Sequence, residues 1–235
     1  MTYARAVQRL PLATLGDVIG HRGIVVIAPH PDDEALGCGG VLAWASRHDV
    51  LRHVVYLTHG EQSHPGTTQN LARIRRAEAV VAAASLGLSP EQLSFLGLPD
   101  TELPTLNDDS RHWATHWLRC LAAERSPCVF LVTADTDAHG DHRAAFALVR
   151  EAIRGLPGVE LMSYPVWSWL LPDAPPRLDG VRVDISDYRN EKAAALRAYA
   201  SQRGERSLDV EGFTLPQELL RHAQTDAEIL LRIDL

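Results

Sequence analysis

The sequence predicts an α/β fold: a single doubly wound, mostly parallel sheet with helices on both faces. Three observations predict it. Short β-branched runs alternate with longer stretches of helical period, the pattern of βαβ units. The strand-like runs are continuously apolar, as strands buried on both sides must be. With 235 residues and 46% hydrophobic content, the chain is long enough for a substantial core and too apolar for disorder.

The first strand is Gly23 to Ala28, and a helix follows from Asp32 to Arg47. A second strand spans about Leu51 to Leu57, and the next helix about Thr68 to Leu86. On that helix Leu71, Ile74, Ala77, Val81 and Ala84 recur at helical spacing, and Gly87 is a stop signal. Leu93 to Gly97 reads as a short strand. A helix from about Ser110 to Glu124 carries Trp113, Trp117, Cys120 and Leu121 on its apolar face, with Asp108, Asp109 or Ser110 as its cap. Cys128 to Val132 is the fourth strand. Asp141 to Gly155 is the next helix, with Ala145, Leu148, Val149 and Ala152 on one face. Strand-like runs recur at Val159 to Tyr164 and Val181 to Ile185, and helical stretches near Asp187 to Tyr199 and Pro216 to Leu231 follow. The expected organisation is one domain over residues 1–235, with 1–20 as an N-terminal extension and 203–235 as a C-terminal helical segment. The stretch from Trp167 to Gly180, with Pro172, Pro175 and Pro176, reads as a solvated connector.

Charge and cysteine usage narrow the function classes. There are 23 Lys plus Arg against 30 Asp plus Glu, a net charge of −7, which argues against a nucleic-acid binder with its basic face. No apolar run reaches the roughly 18 residues of a membrane span, and the N-terminus lacks the apolar core of a secretory signal. Cys38, Cys120 and Cys128 form neither a CxxC pair nor an even set. Each is expected to be a small buried hydrophobe in a reducing cytoplasm.

Ligands of a doubly wound sheet bind beyond the carboxyl ends of its strands. After the first strand stand Pro29, His30, Pro31, Asp32, Asp33 and Glu34; after the fourth stand His139, Gly140, Asp141 and His142. A catalytic zinc takes three His or carboxylate ligands and keeps a position for water. His30 and Asp33, three residues apart across a turn into a helix, can aim at one point, and His142 is the natural third ligand. Asp32 stays free to act as a base, and His139 is a further group nearby. The bland alternatives are a helix cap by Asp32 or Asp33 and surface positions for the two histidines. Two such clusters at neighbouring strand ends favour a metal site over both.

Gly37, Gly39 and Gly40 do not complete GxGxxG, because Leu42 occupies the last glycine position. A dinucleotide site is therefore unsupported, and the glycines suit close helix packing or approach of a substrate. His59 and His64 fall near the rim of the site. His21, His48, His53, His112, His116 and His222 read as surface or helix-face residues. Trp167 and Trp169 read as packing residues, with stacking on a sugar ring as the alternative.

The chain resembles the PIG-L/LmbE-like deacetylases. The resemblance rests on APHPDDEALGCGG at Ala28 to Gly40, LTHGE at Leu57 to Glu61, and Arg75-x-x-Glu78 ahead of Leu86-Gly87. It continues through Asp100, HGDH at His139 to His142, Lys192 and Ser201-Gln202, and so covers most of the chain. It implies a Rossmann-like, LmbE-like fold and a metal-dependent hydrolase that removes the N-acetyl group of an N-acetylglucosamine-type conjugate. It further implies that His30, Asp33 and His142 bind Zn2+, with Fe2+ or another divalent ion as the alternative. Asp32 would be the general base, a protonated His139 would stabilise the oxyanion, and Asp141 would support the histidines. Arg75 and Asp100 are similar to positions that contact the sugar. In one departure, Asp137 stands where some sugar-thiol members carry Tyr. Hydrolysis of another amide, in a modified sugar or secondary metabolite, and non-catalytic sugar binding are the alternatives. The implied partner is a small amino-sugar conjugate, without an integral membrane segment; assembly as a homo-oligomer stays open.

Overall fold

A computed structural model describes residues 1–64, 66, 68–175, 178–205 and 212–233. The chain begins with α1 (Tyr3–Val7), β1 (Leu12–Ala13), α2 (Leu15–Ile19), β2 (Gly23–Ala28) and α3 (Asp33–Arg47). It continues through β3 (Arg52–Tyr56), α4 (Thr68–Ser85), β4 (Leu93–Phe95), α5 (Asp108–Arg125) and β5 (Cys128–Thr133). Then come α6 (Gly140–Ile153), β6 (Val159–Tyr164), β7 (Gly180–Asp184), α7 (Arg189–Ala198), α8 (Gln217–Ala223) and β8 (Ala227–Arg232).

These strands form one sheet in the order β1-β7-β8-β6-β5-β2-β3-β4. Every neighbouring pair is parallel except those of β8, which runs antiparallel to both β6 and β7. The period-2 alternation of a strand divides the core. Along β2, Ile24, Val26 and Ala28 join a cluster with residues of α3, α4, α7 and α8. Val25 and Ile27 point the other way, into a cluster with α5 and α6. All six residues of β2 are buried, as the apolar run requires.

The structure corrects several expectations. The expected helix from Pro216 to Leu231 ends at Ala223, and its second half is strand β8. Glu, Leu and Arg of that run suit a helix locally, but pairing with β6 and β7, as at Val181 with Leu230, overrides propensity. The N-terminal extension enters the sheet, with Leu12 opposite Arg182. Helix α5 is capped by Asn107, whose side chain accepts from Ser110 N, and not by its acidic residues. Its buried stripe is Ala114, Leu118, Leu121 and Ala122, leaving Trp113 and Cys120 exposed. Helix α4 likewise turns Val81 to solvent and buries Arg75, Glu78, Ala79, Ala82 and Ala83. An apolar-period reading misses such a face because two of its members are charged. His53, expected on the surface, is buried on β3 and bonded to Ser94 Oγ at 2.9 Å.

The 167–180 stretch is not simply a solvated connector. Trp167–Leu170 forms a 3₁₀ turn, Ala174 N donates to Met1 O at 3.0 Å, and Leu171, Ala174 and Leu178 pack on the cluster around Tyr3. Pro176 of that stretch, and 206–211 and 234–235 of the expected C-terminal segment, lie outside the described residues. The glycines of α3 serve packing: a Cβ on Gly37 would lie 2.1 Å from Tyr164, and one on Gly40 2.6 Å from Ile185.

Candidate metal centre and active site

From β2 the chain moves outward through β3 to β4, whereas β5 returns to the other side of β2. The crevice between β2 and β5 is thus the topological switch point, where a doubly wound sheet binds its ligand. The turn after β2 carries His30 and Asp32, with Asp33 opening α3; the loop after β5 carries Asp137 and His139, with Asp141 and His142 in the first turn of α6. The two motifs meet there. Ring centroids of His30, His139 and His142 are 4.9, 5.4 and 5.0 Å apart in pairs.

Asp32 holds a backbone φ of 124°, which strains a residue with a Cβ. The strain sits in the sharp turn from strand to helix; Asp32 stands at the N-cap position, but its side chain makes no capping hydrogen bond, so the alternative of a capping role is not what the two side chains do. Asp33 Oδ2 instead accepts from His30 N at 2.9 Å. It also lies 3.3 Å from His30 Nδ1 and 3.3 Å from His142 Nε2. Asp32 turns aside to Arg75, with Nη2 to Oδ2 at 3.1 Å.

A tetrahedral ion holding N and O ligands at about 2.0–2.1 Å spaces them about 3.3 Å apart. The two contacts of Asp33 match that spacing. His142 is buried, and neither of its ring nitrogens makes a hydrogen bond among the described residues, although carboxylates face both. A nitrogen and an oxygen close together without hydrogen-bond geometry suit a shared cation. Two sets of three groups bring one donor atom each within 4.8 Å of one another: His30, His139 and His142; and His30, Asp100 and Asp141. Asp33 stands outside both sets and contacts His30 and His142 pairwise.

The electrostatics follow from burial and crowding. Burial opposes charge on His30, but Asp100, Asp141 and Asp33 outweigh it and raise its pKa well above the usual value. The same contest raises His142 to about 9, through Asp33 and Asp137. Burial would raise Asp33, yet His142 and His30 hold it well below the carboxylate range. Asp32 differs: burial dominates the opposing charge of Arg75 and lifts it to about 7. Burial, then the charges of His30 and His142, push His139 down.

The surrounding residues orient these groups. Asp141 accepts from Thr101 N at 2.9 Å and Leu103 N at 3.2 Å, and its Oδ2 lies 3.0 Å from His30 Nε2. Asp100 approaches the same nitrogen at 3.2 Å and accepts from Gln62 N at 2.7 Å. Arg75 is buried; its guanidinium donates to Pro31 O, Gly60 O and Asp32. Gly60, with φ 64°, makes room, since a Cβ there would lie 1.9 Å from Arg75 Nη1. Asp137, legible in the sequence as a departure alone, faces His142 Nδ1 at 3.3 Å and accepts from His139 N, Val166 N and Ser168 N. Glu78 of the Arg75-x-x-Glu78 motif accepts from Ser201 N and Oγ, which ties α4 to the segment after α7.

Above these groups opens a cavity of about 430 Å3, lined among others by His30, Asp32, Asp33, Arg75, Asp100 and His139. Gln62, Ser63, Thr101, Trp167, Gln202 and Phe213 also line it, and of these the sequence singled out Trp167 and Gln202. His59 and His64, expected near the rim, are not among its lining residues. Trp169 packs on Tyr3 and stacks on His222 at 4.6 Å.

Comparison with known proteins identifies similar chains. A diacetylchitobiose deacetylase of Thermococcus kodakarensis is 29% identical over 198 residues, 76% of this chain and 69% of the relative. A Bacillus anthracis protein named "Probable N-acetyl-alpha-D-glucosaminyl L-malate deacetylase 2" is 27% identical over 193 residues, 77% and 81% of the two chains. Among solved structures, a conserved protein of Thermus thermophilus, TT1542, is 33% identical with a TM-score of 0.59, over 77% of this chain and 80% of the other. GalB, the 4-carboxy-2-hydroxymuconate hydratase of Pseudomonas putida KT2440, shares the fold at 20% identity and TM-score 0.65, over 90% and 95% of the chains. A hydratase on this fold means that the fold alone does not fix the reaction. The PIG-L family, described as GlcNAc-PI de-N-acetylase, matches residues 25–153, a span that holds every one of the site's histidines and carboxylates. That match covers more than half of the chain, and the protein belongs to the PIG-L family.

Proposed function

We propose that the protein is a zinc-dependent N-deacetylase that hydrolyses the acetamide of an N-acetylglucosamine-type conjugate. The observation that carries this reading is Asp33 Oδ2 at 3.3 Å from a nitrogen of both His30 and His142, with Asp32 directed away to Arg75. His30, Asp33 and His142 would hold the ion. A zinc ion bound there supplies a Lewis acid for the amide carbonyl and lowers the pKa of attacking water.

The chain's own groups do the rest. Asp32, near pKa 7 and fixed by Arg75, is poised to take a proton at neutral pH. His139 Nδ1 accepts from Asp141 N at 3.2 Å, which a doubly protonated ring cannot do. That contact and a lowered pKa support a neutral His139 with its proton on Nε2, in place of the protonated ring expected from the sequence. From the cavity wall that N–H can donate to the oxygen that becomes negative, an effect worth a few kcal/mol. Asp141, 3.0 Å from His30 Nε2, would hold that ring, and Asp100 and Arg75, which line the cavity, would contact the sugar. Free thiols at all three cysteines suit a cytoplasmic setting. No helix among the described residues is long and apolar enough to cross a membrane.

The test is release of primary amine from N-acetylglucosamine conjugates by zinc-loaded and chelator-treated protein. The reading requires amine release that depends on the metal. Demonstrated metal binding with no amine from any conjugate would overturn it.

A further inference from the structure

The cavity over the site has a mixed lining. Gln62, Ser63, Asp100, Thr101 and Gln202 line it with polar groups. Leu36 of α3, Trp167 after β6, and Phe213 and Leu215 ahead of α8 line it with an apolar wall that belongs to one hydrophobic cluster. The rings of Trp167 and Phe213 pack at 5.6 Å with their planes tilted by 58°.

The apolar wall is built rather than incidental. Val166 N and Ser168 N, either side of Trp167, donate to Asp137 Oδ2 at 3.3 and 3.2 Å. The carboxylate that faces His142 thus also sets the position of Trp167. Phe213 N donates to Ser63 O at 2.9 Å, and Leu215 N donates to Gln202 O at 2.8 Å. These bonds tie the 212–215 segment to Ser63 and Gln202, which also line the cavity. Polar groups suffice for a sugar's hydroxyls, and an acetyl group presents a single methyl. Four large apolar side chains exceed what that methyl and the C–H face of one sugar ring need, so they fit a further apolar group on the substrate.

We propose that this wall is a subsite for an apolar aglycone, aryl or alkyl, joined to the amino sugar. The inference rests on the deacetylase reading and names the substrate class within it. The protein would prefer an amphiphilic glycoside over a polar one of the same sugar.

The test compares kcat/KM for amine release from phenyl and methyl glycosides of N-acetylglucosamine, both anomers, with zinc-loaded protein. The expected phenyl-to-methyl ratio is about 10 to 100, the range for an added apolar group in a fitted pocket. Trp167→Ala and Phe213→Ser, on separate elements, should each bring that ratio near one, and Trp167→Phe should keep most of it. A ratio cancels any general loss of turnover. An N-butanoyl arm separates the acyl side: faster cleavage of the longer acyl group, with a phenyl-to-methyl ratio near one, would overturn the proposal. Calorimetric binding of phenyl and methyl glucosaminides to chelator-treated protein gives a readout free of chemistry. If no glycoside is hydrolysed, the deacetylase reading fails, and binding decides the subsite alone. Tighter phenyl binding that Trp167→Ala abolishes would sustain the subsite, whereas equal binding of both glycosides would refute it.

Discussion

Asp137 Oδ1 lies 3.3 Å from Nδ1 of His142, on a ring whose Nε2 faces Asp33 at 3.3 Å. The ring is thus gripped between two carboxylates. A carboxylate behind a metal-binding histidine fixes its tautomer and raises its basicity, and its loss typically costs about 10–100-fold in metal affinity. Asp137→Asn should keep the fold and weaken zinc binding by about that factor in a competition titration with a chromogenic chelator. Unchanged affinity would mean that Asp137 serves the backbone of its turn alone.

His139 distinguishes two ligand sets. If His30, Asp33 and His142 hold the ion, His139→Ala keeps its metal and loses about a hundredfold or more in kcat, while His142→Ala loses the metal. Metal analysis after gel filtration reads both. Equal loss of metal in the two variants would move His139 into the ligand set, as its proximity to His30 and His142 permits.

Asp32 and Arg75 form a buried pair at 3.1 Å. Asp32→Asn should bind metal normally and lose about 10²–10⁴ in kcat, the usual contribution of a general base. Arg75→Met leaves a buried carboxylate uncompensated and should destabilise the fold by about 3–5 kcal/mol. Urea unfolding measures the second effect, and a cost below about 1 kcal/mol would mean that Asp32 takes up a proton once Arg75 is gone.

A second buried pair stands beneath the site. Lys192 Nζ bonds Glu228 Oε1 at 2.6 Å and Leu36 O at 3.0 Å. Glu228 in turn accepts from Gly40 N and Val41 N of α3 at 2.7 and 2.8 Å. The pair is spliced into the backbone of the helix that presents Asp33. Lys192→Met should cost about 3–5 kcal/mol in urea unfolding, because Glu228 would keep its charge without a cation. Near-wild-type stability would show that Glu228 takes up a proton instead.

His53 gives a pH signature away from the site. Burial, then the charge of Arg125, lowers its pKa from 6.5 to about 4. The unfolded chain takes up this proton near pH 6.5 while the folded chain refuses it until about pH 4. The contribution is complete above pH 6.5 and is lost as pH falls through that window. His53→Gln should reduce the loss of stability between pH 7 and 4.5 by about 2–3 kcal/mol. Parallel pH dependences in the two proteins would contradict the depressed pKa.

By itself the sequence determined the alternation of strands and helices from Gly23 to Tyr164, because buried parallel strands must be apolar along their whole length. It also picked out the residues of the candidate site, because His30, Asp33, His139 and His142 follow β2 and β5, whose carboxyl ends meet at the switch point of the sheet. Relations between distant segments belong to the tertiary structure alone. Strand β8 has a locally helical composition and becomes a strand through pairing with β6 and β7. The inner face of α4 holds Arg75 and Glu78, whose burial is tolerable once Asp32 and Ser201 face them. Asp137 acquires a role when the fold brings it against His142, and Trp167 and Phe213 become a wall when two remote segments meet. Periodicity reports which side chains avoid water. Which partner satisfies a buried charge, or fills the other side of a cavity, is decided by contacts across the fold.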